Sequence, residues 1–99
     1  MPESLVLTPG QKAIVRAIVD KHLPHIRVLV FGSRAQSAAK PFSDLDLLVL
    51  GGALDSLLRG DIEEAFDESD LPFRVDITEA ASLSSVFLAR IKAEAVELT

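Results

Sequence analysis

The chain has 99 residues, 48% of them hydrophobic and 25% charged, the balance of a soluble globular protein with enough apolar surface for one small core. The absence of cysteine excludes disulfides and thiolate metal sites, and no apolar run approaches the ~18 residues of a membrane span. A net charge of −5 and an aromatic set of five Phe argue against a general nucleic-acid binder, which needs a basic face and stacking rings.

Thr8-Pro9-Gly10-Gln11 has the form of a capping box with proline at the first helical position. Ile14, Ala17, Ile18 and Lys21 follow at helical spacing, and Val15 and Val19 widen the apolar stripe. Pro24 disfavours helical geometry in the residue before it, so this helix is expected to end near Leu23. Arg27 to Phe31 reads as a short buried strand that stops at the Gly32-Ser33 turn. Ala35 to Lys40 is rich in small residues and suits a turn of helix closed by Pro41.

A second strand is expected from Asp44 to Leu50, terminated by Gly51-Gly52. Leu54, Leu57, Leu58, Ile62, Ala65 and Phe66 then fit one helical face. Gly60 within it costs about 1 kcal/mol relative to alanine, which allows a break there with Asp61, Glu63 and Glu64 capping a second segment. Leu71-Pro72 punctuates the chain before a third strand, Phe73 to Thr78. A final helix is expected from Ser82 to about Leu98. The order α-β-β-α-β-α describes a small sheet with helices packed against it, and so few strands leave edges that need covering. An oligomer or a partner protein would supply that cover. Residues 1–99 read as one domain, without repeats or linkers. The segment Met1 to Thr8 lacks the basic start of a signal peptide, and a cytoplasmic location with no membrane partner is expected.

The chemistry concentrates in two places. Asp44 and Asp46 stand at i and i+2 of a strand and therefore project to the same face. Such a pair can be the wet face of an alternating strand. It is also what a divalent cation needs, because close carboxylates repel until a positive charge separates them. Mg²⁺ typically takes one or two carboxylates together with substrate phosphates. The Gly32-Ser33 turn favours the second reading, since glycine lets backbone approach a phosphate and amides after a strand form an anion-binding concavity. Asp76 faces away from Val75 and Ile77 and would join the other two acids if the third strand lies beside the second. Arg34 and Lys40 are candidates for phosphate neutralisation, with Arg34 better placed. His22 and His25 bracket Pro24 without a third ligand and suit a helix end better than a metal. Asp61, Glu63, Glu64, Asp67, Glu68 and Asp70 read as a solvated acidic face, and Arg74 and Arg90 suggest no role.

Phe31-Gly-Ser-Arg-Ala35 followed by Ser43-Asp-Leu-Asp-Leu47 resembles the signature of the minimal nucleotidyltransferases (MNT), a group within the polymerase-β-like superfamily. The stretch from Glu68 to Pro72 and on to Val75-Asp-Ile77 is similar to that group's third-carboxylate region, and the likeness runs from about Ile26 to Leu98. The resemblance implies an α/β (α+β) fold with a small mixed sheet, and ATP or another nucleoside triphosphate bound with one or two Mg²⁺ ions. Gly32, Ser33, Arg34 and Ser43 would bind the nucleotide. Asp44, Asp46 and Asp76 would be the catalytic, metal-binding acids. The reaction implied is nucleotidyl transfer to a hydroxyl, with pyrophosphate leaving. Members commonly work beside a helical partner, a HEPN-type toxin or a substrate-binding subunit, and then serve as its antitoxin. One departure stands out, Gln36-Ser37 where members often carry a second glycine. The alternative is a non-catalytic module that neutralises its partner by occlusion, using the acidic helix.

Overall fold

The computed structural model describes residues 7–35 and 43–98. The expected turn of helix after Ala35, with Gln36, Ser37 and Lys40, lies outside those residues. Helix α1 (Pro9–His22) begins as its sequence requires. The Thr8 hydroxyl accepts from the Gln11 amide at 3.1 Å, and the Gln11 side chain accepts from the Thr8 amide at 3.1 Å. At the other end His22 Nδ1 bonds the Ile18 carbonyl at 2.9 Å, and His25 takes a positive φ of 66° in the turn that follows. Both histidines thus serve the helix end.

Four strands, β1 (Val28–Phe31), β2 (Leu45–Val49), β3 (Val75–Glu79) and β4 (Val96–Glu97), form one mixed sheet in the order β3-β2-β1-β4. β2 runs parallel to β3, and β1 is antiparallel to both β2 and β4. Helix α2 (Ser56–Asp67) crosses between the parallel strands β2 and β3. Asp55 caps it by accepting from the amides of Leu57 and Leu58 at 2.8 and 3.0 Å. It runs unbroken through Gly60. The i, i+4 pairs Val15/Val19 and Ile62/Phe66 bury the inner stripes of α1 and α2 against Val28, Val30, Leu45, Leu47, Val49 and Ile77 on one face of the sheet. On the other face Leu29 and Leu48 pack with Ala80, Ile91 and the half-buried Leu83 and Leu88, from the 3-10 turn Ala80–Ser82 to helix α3 (Ser85–Glu94). β2, covered on both sides, is an almost continuous apolar run for that reason.

The C-terminal region differs from the expectation. The last helix starts at a Ser84 cap and ends at Glu94, Ala95 is extended, and β4 follows in place of the helix's last turn. Val96 and Leu98 lie on the same side and join the core, while Glu97 turns out to pair with Arg27. A two-residue strand has no periodicity of its own. Its existence depends on pairing Leu29 with Glu97 and Val30 with Val96, across most of the chain. At the opposite edge, Arg59 Nη2 donates to the Ile77 carbonyl at 2.7 Å, and Glu79 accepts from the Leu54 amide at 2.7 Å and from Arg59 at 2.5 Å. The chain therefore blunts both sheet edges itself, by a short strand on one side and an arginine on the other.

Candidate functional site

The site lies where β1 ends and β2 and β3 begin, on the sheet face that α3 covers farther along. Alternation puts Phe31, Asp46 and Asp76 on this face together with Leu29 and Leu48. Asp46 stands opposite Phe31 on one side and Asp76 on the other, so one residue of the central strand touches both halves of the site. Neighbouring strands are about 4.8 Å apart, which sets the two carboxylates side by side. Asp44, two residues before Asp46, shares its face and is exposed.

Gly32 follows directly, at φ +78°, and its carbonyl accepts from the Ala35 amide at 3.1 Å. A β-carbon at this position would overlap Asp46 Oδ2 and stand 3.3 Å from Asp46 Cγ. The glycine is therefore required twice, by a left-handed backbone and by the carboxylate lying over it. The two signature segments of the sequence meet at this contact. Ser33 is half-buried in the same turn.

Electrostatics mark Asp46 as the strained acid. Its carboxyl is pushed above the usual range by burial first and then by the negative charges of Asp76 and Asp44. Asp76 Oδ1 is 3.5 Å from Nη2 of Arg74, an exposed arginine just before β3, so the two side chains reach the same side. Among the described residues no three His, Asp or Glu side chains are gathered into a ready-made metal cage. The donor chemistry still fits a hard divalent cation. The set offers carboxylate oxygens only, from adjacent strands, with a mutual repulsion that a cation relieves.

Arg34 is placed differently from the phosphate-neutralising position expected of it. It is 3% exposed, donates from Nε and Nη2 to the Ser43 carbonyl at 3.0 and 2.8 Å, and lies 3.9 Å from the centroid of the Phe73 ring. Phe73 packs at the rim of the core beneath α1 and α2, on the opposite side of the sheet from the acids. Burial lowers the guanidinium's affinity for its proton without neutralising it. Ser43, named for the nucleotide, offers its carbonyl to this arginine. Sequence reasoning gives Phe73 no role beyond opening the third strand and Arg74 none, although the i, i+2 spacing of Arg74 and Asp76 is available as a signal.

A profile of the nucleotidyltransferase domain matches residues 12–98. The chain belongs to that family. This nucleotidyltransferase is 46% identical over 76 residues to the "Probable protein adenylyltransferase MntA" of Haemophilus influenzae, a match covering 76% of the chain and 67% of the relative. Its fold is similar to the structure of a toxin–antitoxin pair with AMP-PNP, with a TM-score of 0.71 at 23% identity over 89% of this chain and 72% of that one. It is also similar to a structure of a tri-AMPylated Shewanella oneidensis HEPN toxin with its MNT antitoxin. There the TM-score is 0.64 at 21% identity, over 89% and 68% of the two chains. The resemblance to minimal nucleotidyltransferases and the expected mixed α/β fold are both borne out. No helix among the described residues is long and apolar enough to cross a membrane.

Proposed function

We propose that this nucleotidyltransferase moves a nucleoside monophosphate, AMP in the simplest case, from a triphosphate to a hydroxyl on a helical HEPN-type partner, and so acts as the antitoxin of a pair. The observation that carries the reading is the junction of Gly32, Asp46 and Asp76, where a β-carbon-free turn meets two registered carboxylates. The similarity to a protein adenylyltransferase and to toxin–antitoxin folds supports the choice of donor and partner.

In the reaction, the acceptor oxygen bonds the α-phosphorus in line as the bond to the β-phosphate oxygen breaks, and pyrophosphate leaves. Asp44, Asp46 and Asp76 would hold Mg²⁺, which when bound supplies charge neutralisation for the attacking and leaving oxygens. Gly32 and Ser33 let the triphosphate approach the backbone. Asp76, partly solvent-exposed, would take the proton of the attacking hydroxyl. Arg74 shares this face and provides a cation for the outgoing phosphates.

The test incubates the chain with Mg²⁺, ATP and its purified helical partner and weighs the partner by mass spectrometry. A gain of AMP that vanishes in the Asp44→Asn/Asp46→Asn variant supports the reading. A second reading, neutralisation by occlusion, is favoured by the exposed acidic side chains of Asp61, Glu63, Glu64, Asp67 and Glu68 along α2. It predicts that the same double variant silences the partner as well as the wild type does.

A further inference from the structure

Arg34 connects three segments that carry the candidate site. Its own backbone belongs to the Gly32 turn, since the Ala35 amide closes that turn on the Gly32 carbonyl. Its guanidinium grips the carbonyl of Ser43, the residue immediately before Asp44. The plane of that guanidinium lies over Phe73, and the next residue, Arg74, accepts the Leu45 amide through its carbonyl at 2.9 Å. One side chain thus fastens the end of β1 to the residue before β2 and to the approach to β3. Those are the segments whose register sets the spacing of Asp44, Asp46 and Asp76.

We propose that Arg34 is a positioning residue. Through the Ser43 carbonyl and the Phe73 ring it fixes the distance between the acid-bearing strands, and so sets the affinity of the three carboxylates for a divalent cation. The proposal rests on the metal-nucleotide reading above. The chemistry suits arginine. A planar fork can donate twice to one carbonyl while its face stacks on an aromatic ring, a combination a lysine's point charge cannot reproduce. Its near-complete burial keeps water from competing for either contact. A residue charged with meeting phosphate directly would instead lie on the acids' face.

The sign of one measurement separates a clamp from a site cation. Mn²⁺ is titrated by electron paramagnetic resonance into the wild type and into Arg34→Met, Arg34→Lys and Phe73→Leu, without nucleotide and well below each melting temperature. If Arg34 were a cation beside the acids, its removal would leave Mn²⁺ affinity unchanged or raise it, because a repelling charge is gone. The clamp predicts the opposite, a loss of about tenfold or more in Arg34→Met, the size seen when groups that orient metal ligands are removed. Phe73→Leu, which changes no charge, must lose affinity in the same direction, and Arg34→Lys must fail to restore it fully. Unchanged or tighter Mn²⁺ binding in Arg34→Met overturns the proposal. Circular dichroism confirms that each variant is folded, so a loss of binding is not read from an unfolded chain. A wild type that binds no Mn²⁺ would overturn the metal reading instead. The clamp would then be decided by hydrogen exchange at the Leu45 amide, which must accelerate in Arg34→Met and in Phe73→Leu, and which refutes the clamp if it does not.

Discussion

Gly32→Ala is the most telling perturbation of the site, because the same β-carbon meets two separate obstacles. The first is local. At φ +78° an L-residue pays about 1–2 kcal/mol for a left-handed backbone. In a chain of this size that lowers the melting temperature by roughly 5–15 °C. The second is specific to the site. The new carbon would overlap Asp46 Oδ2, with Asp46 Cγ at 3.3 Å and Asp46 Cβ at 3.6 Å, so the carboxylate must rotate off the glycine and away from Asp76. If Asp46 is one of the metal ligands, as proposed, moving it is expected to weaken Mg²⁺-dependent AMP-PNP binding by about tenfold or more. Gly51 provides the control. It also has a positive φ, +107°, but a β-carbon there meets nothing within 4 Å. Gly51→Ala should therefore lose stability of the same order while keeping its nucleotide affinity. Thermal melts and calorimetry on the two variants separate the effects. Wild-type affinity in Gly32→Ala, or equal loss of affinity in both variants, would refute the reasoning.

Two acids should respond to pH in opposite senses. Burial and the charges of Asp76 and Asp44 raise the Asp46 carboxyl, so its ionisation destabilises the fold. The penalty is complete above the folded-state value and is relieved as pH falls through it. Metal-free Asp46→Asn should then melt higher than wild type at neutral pH, with the gap closing in mild acid and reversing when Mg²⁺ is added to neutral samples; a lower melt in chelator would contradict the mutual repulsion. Glu79 is shifted the other way, held below its ordinary value chiefly by the Leu54 amide, with the Arg59 hydrogen bond and charge adding to it. Its contribution is present above the unfolded-state value and is lost as pH falls through the folded one. Glu79→Gln should cost about 1–3 kcal/mol in urea unfolding at neutral pH and almost nothing once both proteins are at strongly acidic pH. A constant difference across that range would mean the carboxylate's charge is irrelevant to the edge it ties.

The sequence made the locally coded features of the fold legible. The Thr8–Gln11 box and Pro24 bracket α1 almost to the residue, because capping and proline act within one turn. Apolar runs such as Leu45 to Val49 locate the first three strands, with ends that differ from those in the structure by a residue or two. β4 could not be found this way. Val96 and Glu97 continue a helix-compatible run, and only the free edge of β1, far back in the chain, makes them a strand. Propensity gives way there to pairing that no short window contains.

The candidate site divides along the same line. Gly32, Asp44, Asp46 and Asp76 were recognisable because strand alternation assigns each acid a face before any tertiary contact is known, and the structure registers Asp46 with Asp76. Where Arg34 points is not legible in the same way, because charge carries no direction. An arginine beside a phosphate-binding turn is assigned to the phosphate by default, yet whether its side chain crosses to the acids or to the core depends on what waits on each side. Phe73, thirty-nine positions away by the numbering, provides an aromatic face at 3.9 Å, and the Ser43 carbonyl provides an acceptor with no water to compete. The Phe73 ring lies on the side away from the acids. Within the signature Gly-Ser-Arg the two ends therefore answer different neighbours: the glycine a left-handed turn with the Asp46 carboxylate over it, and the arginine the Ser43 carbonyl and the Phe73 ring.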